Sequence, residues 1–169
     1  MNYILALDIS TTVIGISIFE DYGTYGKLKS IKYLALKLKA NSCDESEKLF
    51  KKVDIFKNEF LNGLDGLNVT KIAIEEPLLG SNNANTVGTL LKFNGMISYL
   101  VSSKFKVIPQ YISSYDARKF SFPELMQVRT FKKDGSQLTE KAISKNKPVL
   151  FGGHCFKVDK KKVVWEKVC

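Results

Sequence analysis

The chain has 169 residues, 44% of them apolar, and a formal net charge of +9. That length supports one domain with a sizeable core, and no stretch reaches the roughly 18 uninterrupted apolar residues that a membrane-spanning helix needs. Three cysteines without close spacing (Cys43, Cys155, Cys169) and a single histidine, His154, point away from a disulfide framework, a zinc site and His-driven nucleophilic catalysis. With no basic start of a secretory leader, a soluble, cytoplasmic protein is expected.

In chain order, Tyr3–Leu7 reads as a strand buried on both faces. The polar break Asp8–Thr12 leads into a second, β-branched run, Val13–Phe19. Glu20–Lys29, with two glycines, reads as a turn, and Ile31–Leu38 as a third strand, giving two adjacent hairpins. Ser42 and Glu45 have the spacing of a capping box. Leu49, Val53, Phe56 and Phe60 then recur at helical intervals up to Gly63. "KIAIEE", Lys71–Glu76, is a short buried strand stopped by Pro77.

From about Asn85, a second helix carries Val87, Leu90, Asn94, Ile97 and Val101 on one face. On this helix Phe93 and Tyr99 are expected in core or dimer packing, and Gly88 and Gly95 allow close backbone approach. Lys106–Gln110 reads as a further strand, followed by a short helix or turn over Ser114–Lys119. Residues 121–158 read as an insertion with one hairpin about Asp134 and Gly135, and "KKKVVWEKV" after Asp159 as a final helix. Three strands, helix, strand, helix, strand, helix predict an α/β fold: a mixed sheet with an antiparallel front half and flanking helices.

Charge is unevenly placed. Residues 1–100 hold 11 Lys/Arg against 11 Asp/Glu, whereas residues 101–169 hold 15 against 6. The whole excess lies in the C-terminal part, which points to a polyanionic partner, most simply nucleic acid. Asn82, Asn83, Asn85 and Thr86, at the start of the second helix, offer hydrogen bonds and a positive dipole end to phosphate, or else form a solvated N-cap.

Two carboxylates stand out. Asp8 closes the first strand and Glu75, followed by Glu76, closes the fourth, each after apolar residues that pin its strand in the core. If those strands are neighbours, both acids project at one sheet edge. Oxygen donors on rigid strands suit a hard cation such as Mg²⁺ or Mn²⁺, and two such ions hydrolyse phosphodiesters with little help from histidine.

These segments resemble a known family. "LDISTTVIG", with Asp8, Ser10 and Gly15, and "IAIEEP", with Glu75, are similar to the first two motifs of RuvC-like Holliday-junction resolvases, which have the RNase H-like fold. "NANTVGTLLKFNG" resembles the family's helix after the second acid, "VIPQYISSYDARK" its strand leading into a basic segment, and "DKKKVVWEKV" its lysine-bearing helix start. "IEEPLLGSNNANT" is most similar to bacteriophage members.

The resemblance implies a single RNase H-like nuclease domain over residues 1–169, with 121–158 as a family-specific insertion. It implies a homodimeric, structure-selective endonuclease acting on four-way junctions or other branched DNA with two divalent ions. Asp8 matches the first catalytic acid and metal ligand, and Glu75 the second. Lys161 matches a lysine near the scissile phosphate, with Lys160 and Lys162 beside it on DNA, and Arg118 and Lys119 match backbone-contacting residues.

One departure bears on activity: the family's last helix carries two further acids, and nothing of that kind follows Trp165, while Asp116 and Asp159 do not fit the pattern. The expectation is therefore a C-terminally incomplete chain that binds metal weakly and cuts little. A junction-binding module without catalysis is the alternative. A fragment of an actin-like sugar or acetate kinase, whose opening strand and hydroxyl-rich turn "LDISTT" is compatible with, is a third reading.

Overall fold

Although apolar at every position from Tyr3 to Leu7, the first strand is fully buried on one face and not on the expected two: Tyr3, Leu5, Leu7 and Ile9 are buried and the residues between them are not. The computed structural model describes residues 1–38, 44–77, 83–121, 126–127, 137, 139 and 149–150. β1 spans Asn2–Ile9, β2 Val13–Asp21 and β3 Gly26–Ala35, and the three form an antiparallel meander. β4 (Asn68–Glu75) pairs parallel with β1, and β5 (Gln110–Ile112) pairs parallel with β4. The sheet order is β3-β2-β1-β4-β5, so the mixed sheet with an antiparallel front half is present, and β1 lies at its centre.

The meander is tighter than the glycine-rich stretch suggests. Strand pairing continues to Asp21 opposite Gly26, leaving Tyr22–Tyr25 as the loop rather than Glu20–Lys29. Gly23 takes the left-handed conformation there (φ 85°), and its N–H donates to Asp21 Oδ1 at 2.9 Å. The rings of Tyr22 and Tyr25 stack at 5.0 Å across the loop, which favours the longer ladder.

α1 (Glu45–Glu59) and α2 (Ala84–Phe105) cover one face of the sheet. Leu49 and Phe56 of α1 and Phe93, Ile97 and Val101 of α2 join Leu5, Leu7, Ile14, Ile16, Ile72 and Ile74 in one core. α1 is capped by Asp44, whose Oδ1 accepts the Glu47 N–H at 2.7 Å. The cap therefore falls two residues beyond the expected Ser42, a position outside the described residues. Glu45 and Glu47 in the first turn and Lys57 in the last complement the helix dipole.

Lys106 is not the start of a strand. α2 runs on to Phe105, and Lys106 closes it in the left-handed conformation (φ 59°), donating its N–H to the Ser102 carbonyl at 2.8 Å. Pro109 has no N–H to give a ladder, so pairing begins at Gln110. Tyr111 points to the core side and donates its hydroxyl to Ser98 of α2 at 2.8 Å.

The chain divides into two compact units, Met1–Ser113 and Ser114–Cys169. In the second, α3 spans Ser114–Ser121, and two short strands, β6 (Met126–Gln127) and β7 (Val149–Leu150), pair antiparallel. Asp134, Gly135 and the segment after Asp159 lie outside the described residues. Among the described residues no helix is long and apolar enough to cross a membrane.

Candidate active site at the strand ends

The β1–β4 register pairs Ala6 with Ala73 and Leu7 with Ile74. Asp8 and Glu75 are the next positions along these two parallel strands, on the face opposite the helices. Neighbouring strands lie about 4.8 Å apart, a span that two carboxylates can bridge through one cation.

A bulge decides that it is Glu75 that takes this place. Val69 and Ile72 are both buried although three residues apart, which an uninterrupted period of two cannot achieve. The register shifts between Tyr3 and Ile4, so that Tyr3 faces Val69 while Ile4 faces Lys71, leaving Thr70 as the extra residue. After the shift, Ile72 and Ile74 enter the core and Glu75 joins Asp8 on the other side. Glu76 lies just past the strand, where its N–H donates to the Ile112 carbonyl at 2.9 Å.

Asp8 is exposed and Glu75 half-buried. Across the β1–β2 pair Asp8 faces Gly15. A Cβ on Gly15 would lie 3.5 Å from the Asp8 Cβ and 4.0 Å from its Oδ2, so the missing side chain leaves the Asp8 carboxylate an open flank. The same row continues on either side: Tyr33 of β3 faces Gly15, and Ile112 of β5 faces Glu75.

The turn after Asp8 is held from two directions. The Ser10 hydroxyl donates to the Val13 carbonyl at 2.7 Å and accepts the Val13 N–H at 3.0 Å. Lys52 of α1 reaches across and donates its Nζ to the Thr11 carbonyl at 2.6 Å. Ser10 thus works as a turn former, a different use of a hydroxyl from the phosphate cradle of the kinase reading.

Two carboxylates on adjacent rigid strands fit a Mg²⁺ ion, which is typically held by one or two carboxylates together with waters and substrate phosphates. Among the described residues no group of three or more His, Cys, Asp or Glu is arranged to hold a metal.

Asn83 caps α2, its Oδ1 accepting the N–H groups of Asn85 at 3.0 Å and Thr86 at 3.3 Å. That oxygen is committed to the helix, while the side chains of Asn85 and Thr86 are exposed. Arg118 and Lys119 are exposed in the last turn of α3, in the second unit. Lys160, Lys161 and Lys162 lie outside the described residues. Phe93 is fully buried, whereas Tyr99 on the same helix is 75% exposed and outside the core. Sequence reading missed Lys52 and Tyr33; a plain count of strand pairs back from the Tyr22–Tyr25 loop sets Lys32 opposite Gly15, and the register shift between Ile18 and Phe19 brings Tyr33 there instead.

No family model matches the sequence, and no curated protein does. Solved structures do match in shape. One is Thermus thermophilus RuvC in complex with Holliday junction substrate (TM-score 0.51, 15% identity), covering 72% of this chain and 72% of that one. Another is a Thermus thermophilus RuvC structure (TM-score 0.48, 16% identity), covering 69% of this chain and 67% of that one. The type II variant of the Aquifex aeolicus Ppx/GppA phosphatase aligns with a TM-score of 0.41 at 10% identity, over 73% of this chain and 42% of that one. At such identities the likeness is one of fold. The meander continued by two parallel strands, with helices on one face, is an RNase H-like α/β architecture shared with RuvC.

Proposed function

We propose that this chain is a divalent-metal-dependent endonuclease that resolves four-way junctions or other branched DNA at the edge carrying Asp8 and Glu75. The observation that carries the reading is the placement of these two acids at neighbouring positions of the β1–β4 register, in a fold shared with a resolvase whose structure contains a Holliday junction. Asp8 and Glu75 would hold Mg²⁺ or Mn²⁺, and the bound ion supplies Lewis-acid stabilisation of charge on the phosphate.

The chain's own residues do the rest. The Ser10 turn and Lys52 hold the end of β1 in place, and Gly15 keeps the flank of Asp8 open. Arg118 and Lys119, with Lys160, Lys161 and Lys162, neutralise phosphates without reading bases, which makes affinity fall steeply with salt. The exposed side chains of Asn85 and Thr86 add hydrogen bonds to the backbone. A homodimer would present two such edges and match the two-fold symmetry of a four-way junction. The setting is the cytoplasm, that of a host cell if the chain is encoded by a bacteriophage.

A second reading, a junction-binding module without catalysis, is favoured by the basic excess of residues 101–169, which by itself suffices for binding a polyanion. In that reading the chain binds junctions without cutting them. Labelled four-way junctions incubated with the chain and Mg²⁺ or Mn²⁺ separate the two. Symmetric nicks that vanish in Asp8→Asn support the nuclease, salt-sensitive binding without nicks supports the binding module, and equal cutting by Asp8→Asn overturns the assignment of the edge.

A further inference from the structure

The face of the sheet away from α1 and α2 has, among the described residues, a floor of small side chains. Beside the row Tyr33, Gly15, Asp8, Glu75 and Ile112 runs a second, Ile31, Ser17, Ala6, Ala73 and Gln110. At the β3 edge of this floor the residues become large and apolar: Tyr33 is 75% exposed and Ile31 57%. Lys32, between them, turns to the core side, with its Nζ 5.2 Å from the centre of the Phe60 ring, which sets Tyr33 on the opposite side of the sheet.

An exposed aromatic ring offers a face for stacking, and the position of Tyr33 suggests on what. Tyr33 lies two strands, about 10 Å, from Asp8 along one row, and the residue between them, Gly15, has no side chain to fill the gap. A polynucleotide whose phosphate lies at the acids carries its adjoining base a comparable distance away. Aromatic rings accept any base by stacking, at a cost on removal of about 1–3 kcal/mol per base.

We propose that Tyr33 is a positioning residue that stacks on an unpaired nucleobase next to the phosphate held at Asp8 and Glu75. This deepens the nuclease reading and rests on it. The ligand is a strand with an unstacked base, as at the branch point of a junction, and the small floor of Gly15, Ser17, Ala6 and Ala73 lets the sugar approach the sheet. Selection for branched over continuous duplex then follows, because in a continuous duplex no base is free to leave its neighbours without the cost of unstacking.

The test uses the full chain and four-way junctions bearing 2-aminopurine at the branch point, with Ca²⁺ as the only divalent ion. Binding is read by anisotropy and stacking by fluorescence quenching, for the parent chain, Tyr33→Phe, Tyr33→Leu and Ile31→Ala. Tyr33→Leu keeps apolar bulk on an exposed strand position, so circular dichroism melts should match the parent. Tyr33→Phe and Ile31→Ala should behave as the parent, while Tyr33→Leu should bind roughly ten-fold more weakly and lose the quenching. Tyr33→Leu that binds and quenches like the parent overturns this inference alone. Failure of the parent chain to bind any branched DNA overturns the nuclease reading and this inference together.

Discussion

Lys52 of α1 donates its Nζ to the carbonyl of Thr11 at 2.6 Å, tying the helix layer to the turn that follows Asp8. Hydrogen bonds from charged donors contribute about 1.5–3 kcal/mol, and this one joins residues far apart in the chain. Lys52→Met keeps the aliphatic stem and removes the donor. It should lower stability by about 1–2 kcal/mol in urea melts and reduce junction cleavage more than junction binding, because the turn orients the end of β1.

Gly15 offers a graded probe of the acid edge. An added Cβ would meet the Asp8 Cβ at 3.5 Å, ordinary contact, so Gly15→Ala should cut nearly as well as the parent. Gly15→Leu places further carbons in the gap between Asp8 and Tyr33. With the fold intact by circular dichroism, cleavage should fall by about 10²-fold, the size of loss that small misplacement of reacting groups causes.

Asp21 and Lys71 form an ion pair at 2.9 Å that crosses over β1 from β2 to β4. The hydrogen bond from Lys71, reinforced by the Gly23 N–H, holds the Asp21 carboxyl below its ordinary range. A depressed carboxyl contributes stability that is present above its unfolded value and lost as pH falls through the folded one. Asp21→Asn should therefore have a lower urea midpoint than the parent at pH 7, and the gap should close below about pH 4.

Asn83 can be tested as a cap and as a DNA contact separately. Asn83→Ala removes the acceptor for the Asn85 and Thr86 N–H groups and should cost about 1 kcal/mol. Asn83→Asp keeps the cap and adds a negative charge, so its thermal stability should equal or exceed that of the parent. Weaker junction binding by Asn83→Asp at low salt, relieved at high salt, would place this helix end beside a phosphate. Unchanged binding would leave Asn83 a cap only.

Much of this was readable from the residue pattern, for reasons specific to each element. β1 and β2 show in strong apolar runs, and α2 shows in Asn94, Ile97 and Val101, all buried on one face. The acids at positions 8 and 75 were visible as charges ending apolar strands. The resemblance singled out Glu75 over Glu76, but the bulge at Thr70 that sets the phase of β4 against β1 is marked by no local propensity. Propensity also misplaced the third strand and the one after α2. In the first case stacked tyrosines lengthen the hairpin, and in the second Val107, Ile108 and Pro109 look strand-like but precede the ladder.

The parallel joining of β1 to β4 has a consequence for the order of events during synthesis. The meander of β1, β2 and β3 is contiguous and can close as soon as it leaves the ribosome, but β4 must wait for α1 to be made and folded back, a crossover with a larger loop entropy. Until that docking Asp8 ends its strand without Glu75 beside it, and the two carboxylates come together in a single late step.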